Sequence, residues 1–72
     1  MEKVKIYTEY ITLSDFLKFA GITGTGGHSK LVISEGLVKV NGEVCMMRGK
    51  KLRGGETVEF DGVVLKVSRD DI

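Results

Sequence analysis

The sequence predicts a small α+β domain in which a pair of helices packs on a small, mostly antiparallel sheet of short strands. Three observations carry this expectation. Apolar residues recur at helical spacing in Leu13, Phe16, Leu17 and Ala20. Two dipeptides suited to tight hairpins, Asn41-Gly42 and Asp61-Gly62, each join a pair of alternating runs. The order of segments is one strand, two helices and then four short strands, which segregates the helices to one side of a sheet.

Lys3-Val4-Lys5-Ile6-Tyr7 alternates polar and apolar residues, the period of a half-buried strand. The first helix follows with Thr12 as N-cap, Asp15 three residues on in capping-box position, and Ile11 poised to staple against Phe16. Gly21 supplies its stop. Thr23-Gly24-Thr25-Gly26-Gly27 is predicted as a loop. A second helix runs roughly from His28 to Glu35, with Leu31-Val32-Ile33 covering an arc wide enough for packing on more than one side, and Gly36 ends it. Leu37 to Val40 and Glu43 to Met46 form the first hairpin; Thr57 to Phe60 and Val63 to Val67 form the second. Between the hairpins lies a basic loop, Arg48-Gly49-Lys50-Lys51-Leu52-Arg53-Gly54-Gly55.

Seventy-two residues make one domain, 1–72, with too modest a core to wall off a deep catalytic cavity. With 42% hydrophobic and 29% charged residues the chain has the balance of a folded protein, not a disordered one. A lone cysteine, Cys45, rules out an internal disulfide and points to a reducing cytoplasm; on an alternating strand it reads as buried filler. No apolar run is long enough to span a bilayer, and the alternating charges at the N-terminus do not resemble a signal peptide. His28 and Cys45 are too few for a tetrahedral metal site, and no serine or cysteine has a base and an orienting group beside it. The expectation is therefore a non-catalytic monomer without metal or cofactor.

The formal net charge of +1 conceals a division along the chain. Residues 30–53 carry six basic side chains (Lys30, Lys39, Arg48, Lys50, Lys51, Arg53) against Glu35 and Glu43. Residues 54–72 carry two basic against five acidic: Glu56, Glu59, Asp61, Asp70 and Asp71, which read as solvated strand faces and a terminus. A neutral protein with one basic segment suggests a local polyanion site. Arg48, Lys50, Lys51 and Arg53 sit on a short platform flanked by glycines, an arrangement suited to a phosphate backbone; the blander reading is a solvated loop that keeps the protein soluble. A second candidate is the start of the second helix, where Gly26, Gly27 and His28 present unpaired N–H groups and Lys30 adds a charge; the blander reading there is a flexible inter-helix loop. Phe16, Phe19 and Phe60 occupy core positions of the pattern and Tyr7 and Tyr10 lie away from the basic loop, so no base-stacking platform is expected; Met46-Met47 read as core, with an exposed, adaptable patch as the alternative.

From Ile11 to Phe60 the chain resembles the RNA-binding domain named after the fourth small-subunit ribosomal protein, also called the αL motif. The residues that carry the resemblance are Leu13-Ser14-Asp15-Phe16-Leu17, Gly21, Ser29-Lys30-Leu31-Val32-Ile33, and above all Glu35-Gly36-Leu37-Val38-Lys39-Val40-Asn41-Gly42, close to the family's I-x-x-G-x-V-x-V-N-G signature. Gly54-Gly55-Glu56-Thr57-Val58 stands at the family's glycine-acid turn into a strand. Thr25-Gly26-Gly27 and Arg48-Gly49-Lys50-Lys51-Leu52 are similar to the short stand-alone bacterial YaaA/YbcJ-like branch. The chain departs from the pattern at the second helix, with Lys30 where most members have arginine and His28 at the usual acidic position. The resemblance implies binding of structured RNA by backbone and shape contacts, with ribosomal RNA, a ribosomal particle or a ribosome-assembly intermediate as partner. It implies RNA-binding residues at Gly26, Gly27, His28, Lys30, Arg48, Lys50, Lys51 and Arg53. The competing expectation is a protein-interaction adaptor that sets the basic loop against an acidic partner. A sulfur-carrier reading fails, because both Gly-Gly pairs are internal.

Overall fold

The computed structural model describes residues 2–69; Asp70 and Asp71 of the acidic tail lie outside them. The elements are β1 (Glu2–Ile6), β2 (Ile11–Thr12), α1 (Leu13–Phe19), α2 (Gly26–Ser34), β3 (Val38–Val40), β4 (Glu43–Val44), β5 (Lys51–Leu52), β6 (Thr57–Phe60) and β7 (Val63–Arg69). Five strands form one sheet in the order β1-β7-β6-β3-β4, antiparallel except for the parallel pair β1–β7. Two helices on this mixed sheet give the expected α+β domain.

Both predicted hairpin turns form. Asn41 and Asp61 take positive φ of 54° and 53°, followed by Gly42 and Gly62 at 84° and 80°, the paired left-handed conformation whose twist matches the flanking strands. Asn41 also ties its turn to β6: its backbone N–H donates to the Thr57 carbonyl (2.8 Å) and its Oδ1 accepts from the Thr57 N–H (3.0 Å).

Both helices stop in the same way. Gly21 and Gly36 have φ of 77° and 75°, a region L side chains seldom enter. The N–H groups of Ile22 and Leu37 reach back to the carbonyls of Leu17 (3.0 Å) and Val32 (3.1 Å), and those of Gly21 and Gly36 to Lys18 and Ile33 (both 3.1 Å). Orphan carbonyls at each helix end are thereby satisfied. At its start α1 uses Thr12, whose hydroxyl accepts from the Asp15 N–H (3.3 Å).

The core joins Leu13, Phe16 and Leu17 of α1 and Val32 and Ile33 of α2 to the inward residues of the sheet, Ile6, Val38, Val40, Val58, Leu65 and Val67. Ile11, like Phe16, meets this cluster, as a staple at the α1 entry requires. Alternation sends Lys3, Lys5, Lys39 and Lys66 to the opposite, open face of the sheet. There Lys39 stands directly opposite Glu59, and Lys3 opposite Lys66.

Several details differ from expectation. The second helix starts at Gly26, two residues early, because Thr25 rather than a later residue supplies the N-cap. Thr23 is not free loop: it is buried, and its hydroxyl is hydrogen-bonded to that of buried Ser29. Leu31 is exposed while Val32 and Ile33 are buried, so α2 packs on one side only. Phe19, Met46 and Met47 are exposed rather than core. Phe19 lies past the inward stripe of α1, and β4 ends at Val44, before the methionines. Cys45 is half-buried and packs at the core margin.

Candidate nucleic-acid interface

The basic segment is not a free loop. Leu52 is fully buried in the core and pairs with Ile11, and Lys51 pairs with Thr12, so β5 and β2 make a two-stranded antiparallel ribbon. No alternation over so short a run announces such a strand. The ribbon brings backbone carbonyls onto the first turn of α1: the Leu13 N–H donates to the Lys50 carbonyl (2.8 Å) and the Ser14 N–H to the Arg48 carbonyl (3.1 Å). Two donors that a helix start leaves orphaned are thus satisfied. A turn closed by the Lys50 N–H on the Met47 carbonyl (3.1 Å) completes the platform.

The far end of the segment is held by an acid. The two carboxylate oxygens of Glu56 accept from the backbone N–H groups of Arg53 and Gly54, each at 2.8 Å. Partial burial pushes this carboxyl up, but the N–H groups of Arg53, Gly54 and Glu56 itself, with the charge of Lys50, outweigh burial and leave it below its ordinary range. A depressed folded-state pKa gives stability that is complete above the unfolded carboxyl value and is lost as pH falls through the folded one. Glu56→Gln keeps one acceptor oxygen and presents an NH2 to the other donor; it should cost about 1–2 kcal/mol. A urea titration from pH 7 to pH 3 should show the wild type losing its advantage over this variant as the pH falls.

With both ends fixed, the four cationic side chains stand exposed on one platform. Tyr10 lies against two of them. Its ring centroid is 4.9 Å from Lys51 Nζ and 5.5 Å from the Arg53 guanidinium carbon, within cation–π range. The expectation that Tyr10 lies away from the basic loop is therefore wrong, because the β2–β5 pairing folds the segment back beside it. Arg53 also meets Glu9 at 3.4 Å, an exposed pair of little energetic weight. Arg69 crosses from the end of β7 and donates to the Glu9 carbonyl (2.7 Å) and the Arg53 carbonyl (3.3 Å), stitching the two segments together.

The second predicted site has its own framework. Thr25 caps α2 by accepting from the His28 N–H (3.1 Å), so His28 does not offer a free donor; starting the helix at Gly26 places His28 where the cap is directed. The N–H groups of Gly26 and Gly27 remain at the open first turn. A Cβ added at Gly26 would meet nothing within 4 Å, and one at Gly27 only Thr25 Oγ1 at 3.9 Å. Neither glycine is needed for packing, and neither has a positive φ. Lys30 is exposed one turn further on.

Sequence reasoning missed a second basic concavity of about 270 Å³, lined by Lys3, Gly54, Gly55, Lys66, Ser68 and Arg69. Its signal was present in the alternating lysines of β1, but the meeting of Lys3 with Lys66 depends on the parallel β1–β7 register, which no local pattern encodes. Among the described residues no helix is long and apolar enough to cross a membrane, and no cluster of three or more His, Cys, Asp or Glu is placed to hold a metal.

The family model described as the S4 domain matches residues 4–68. The chain is 46% identical over 59 residues to the probable ribosome maturation protein RlbA of Bacillus subtilis, covering 82% of this chain and 83% of that protein. It is 38% identical over 58 residues to the putative RNA-binding protein YbcJ of Escherichia coli, covering 81% and 83%. The solution structure of Escherichia coli YbcJ, described as revealing an αL motif involved in RNA-binding, superposes with a TM-score of 0.72 at 33% identity, covering 94% of this chain and 87% of that one.

Proposed function

We propose that this chain, which belongs to the S4 domain family, binds structured RNA without catalysis, holding phosphates on the segment from Arg48 to Arg53 and on the first turn of α2. The observation that carries the reading is the double anchoring of the basic segment, by Leu52 in the core and by its carbonyls on the α1 N-terminus. With the backbone already fixed, only the side chains of the four cations have to be ordered when they meet phosphates, so more of their electrostatic attraction is retained as affinity. The S4 domain is a non-enzymatic fold, and the relatives carry names that speak of RNA binding and ribosome maturation. Those names support ribosomal RNA or a ribosome-assembly intermediate as the partner.

The test is fluorescence anisotropy of a labelled rRNA fragment across a salt series. Contact with three to five phosphates gives a log–log slope of roughly −2 to −4. In the same series Gly26→Ala/Gly27→Ala should weaken binding while leaving the fold intact or firmer, since alanine favours the helix and nothing crowds its Cβ. Salt-independent binding would remove the phosphate reading. Capture of an acidic protein in nuclease-treated extract, with no affinity for RNA, would favour an adaptor instead.

A further inference from the structure

Three of the five aromatic side chains lie outside the core on one side of the molecule. Tyr7 is 79% exposed, Phe19 56% and Tyr10 39%. With half-buried Ile11 they line an open groove of about 850 Å³ between the segment joining β1 to β2 and the outer side of α1. So small a domain would gain stability by burying such rings, so their exposure side by side points to a ligand.

Charge narrows the ligand. Glu9 and Asp15 also line the groove, with Lys18 the one cation among its described lining residues. Glu9 is already paired with Arg53 and Asp15 is balanced by Lys18, so the groove lacks the surplus of cations that a track for the RNA backbone needs, and the carboxylates offer phosphate no attraction. They can accept hydrogen bonds from amino or ring N–H groups on a flat, neutral molecule stacked on the rings.

Position narrows it further. Tyr10 lines the groove and also lies beside Lys51 and Arg53. Glu9 lines the groove and pairs with Arg53, and Arg69 bonds to the backbones of both Glu9 and Arg53. Groove wall and basic platform are therefore one joined unit, acidic and aromatic on one side and cationic on the other. We infer that this groove holds an unpaired base of the same RNA whose phosphates rest on the basic platform. The inference rests on the RNA-binding reading and adds to it a requirement for a single-stranded element beside the structured one.

The experiment compares two probes: an RNA hairpin with an unpaired loop, and a fully paired duplex of the same stem. Wild-type binding to the duplex with a negative salt slope establishes the RNA reading separately; wild-type failure to bind either probe overturns both readings. In Tyr7→Ala/Phe19→Ala hairpin affinity should fall by roughly 10-fold or more, the loss of at least one base–aromatic stack. Duplex affinity should stay within about twofold, and the salt slope should not change. Both rings are exposed, so the fold should persist, checked by circular dichroism and thermal melting. Tyr7→Phe/Phe19→Tyr, which keeps the ring faces, should keep hairpin affinity. Unchanged hairpin binding in the alanine variant overturns the inference, as does an equal loss for both probes or an equal loss in the ring-conserving variant. A concentration-dependent dimer that the alanine variant abolishes would assign the groove to a second copy of the chain, and also overturns it.

Discussion

Changing Lys50, Lys51 and Arg53 together to alanine should weaken RNA binding by roughly 100-fold at moderate salt and flatten the log–log salt slope by about 2 to 3. Each phosphate left without its cation takes about 0.7 to 0.9 off the slope, and near 0.15 M salt that amounts to somewhat less than a tenfold fall in affinity apiece. All three side chains are exposed, so their removal should leave the core as it is. Lys51 and Arg53 give up their contacts with Tyr10, and Arg53 its pair with Glu9, but all are surface interactions of small weight. Lys50→Arg/Lys51→Arg, which keeps the charge, should keep the slope. Anisotropy titrations of the two variants at several salt concentrations decide the matter. An unchanged slope in the alanine variant would mean that the phosphates lie elsewhere, and the lysines of the open sheet face would become the next surface to test.

The second large effect comes from a residue between those cations that carries no charge. Leu52→Ala should destabilise the protein by about 2–5 kcal/mol, the usual range for a large-to-small change at a fully buried site. A domain of this size has a total stability of only about 5 kcal/mol, and each kcal/mol removed lowers Tm by about 4–8 °C. Thermal melting should therefore show a fall of about 8 °C or more. The damage should be local as well as global. Leu52 holds β5 on β2, and that pairing holds the Lys50 and Arg48 carbonyls on the start of α1. RNA affinity should drop beyond the loss of folded protein, with the full charge still present. Leu52→Ile, close in volume, should restore most of both. A variant that melts like wild type would show that the segment hangs on the surface instead of being rooted in the core.

Much of this molecule was legible because its signals are local. Thr12 caps and Gly21 and Gly36 stop their helices through contacts a few residues apart, and the Asn-Gly and Asp-Gly turns depend on φ preferences of the residues themselves. Phe16 and Leu17 followed the apolar stripe into the core. Phe19 did not, because a seven-residue helix buries a narrow stripe and leaves its last residue outside. The two-residue strands β2 and β5 are too short for any periodicity, yet they decide that Leu52 is core and that Tyr10 sits beside Lys51. Splitting the charge along the chain singled out Arg48 to Arg53 as a candidate. It missed Lys3 and Lys66 because they are neighbours only across the sheet. The aromatic groove was invisible for the same reason: Tyr7 and Phe19 share a surface through the fold and not through spacing.

The parallel pairing of β1 with β7 has a consequence for how the protein comes into being. Ile6 of β1 belongs to the core, yet among the described residues its strand pairs only with β7, the last strand of the sheet to be synthesised. As the chain emerges, the helices and the first hairpin can collapse on one another early. The opening strand must wait, unpaired, until the residues of β7 have followed. Completion of the sheet thus certifies that translation has passed through that strand. A chain cut short within β7 would leave β1 as a loose extended arm, open to proteolysis and to pairing with the wrong partner.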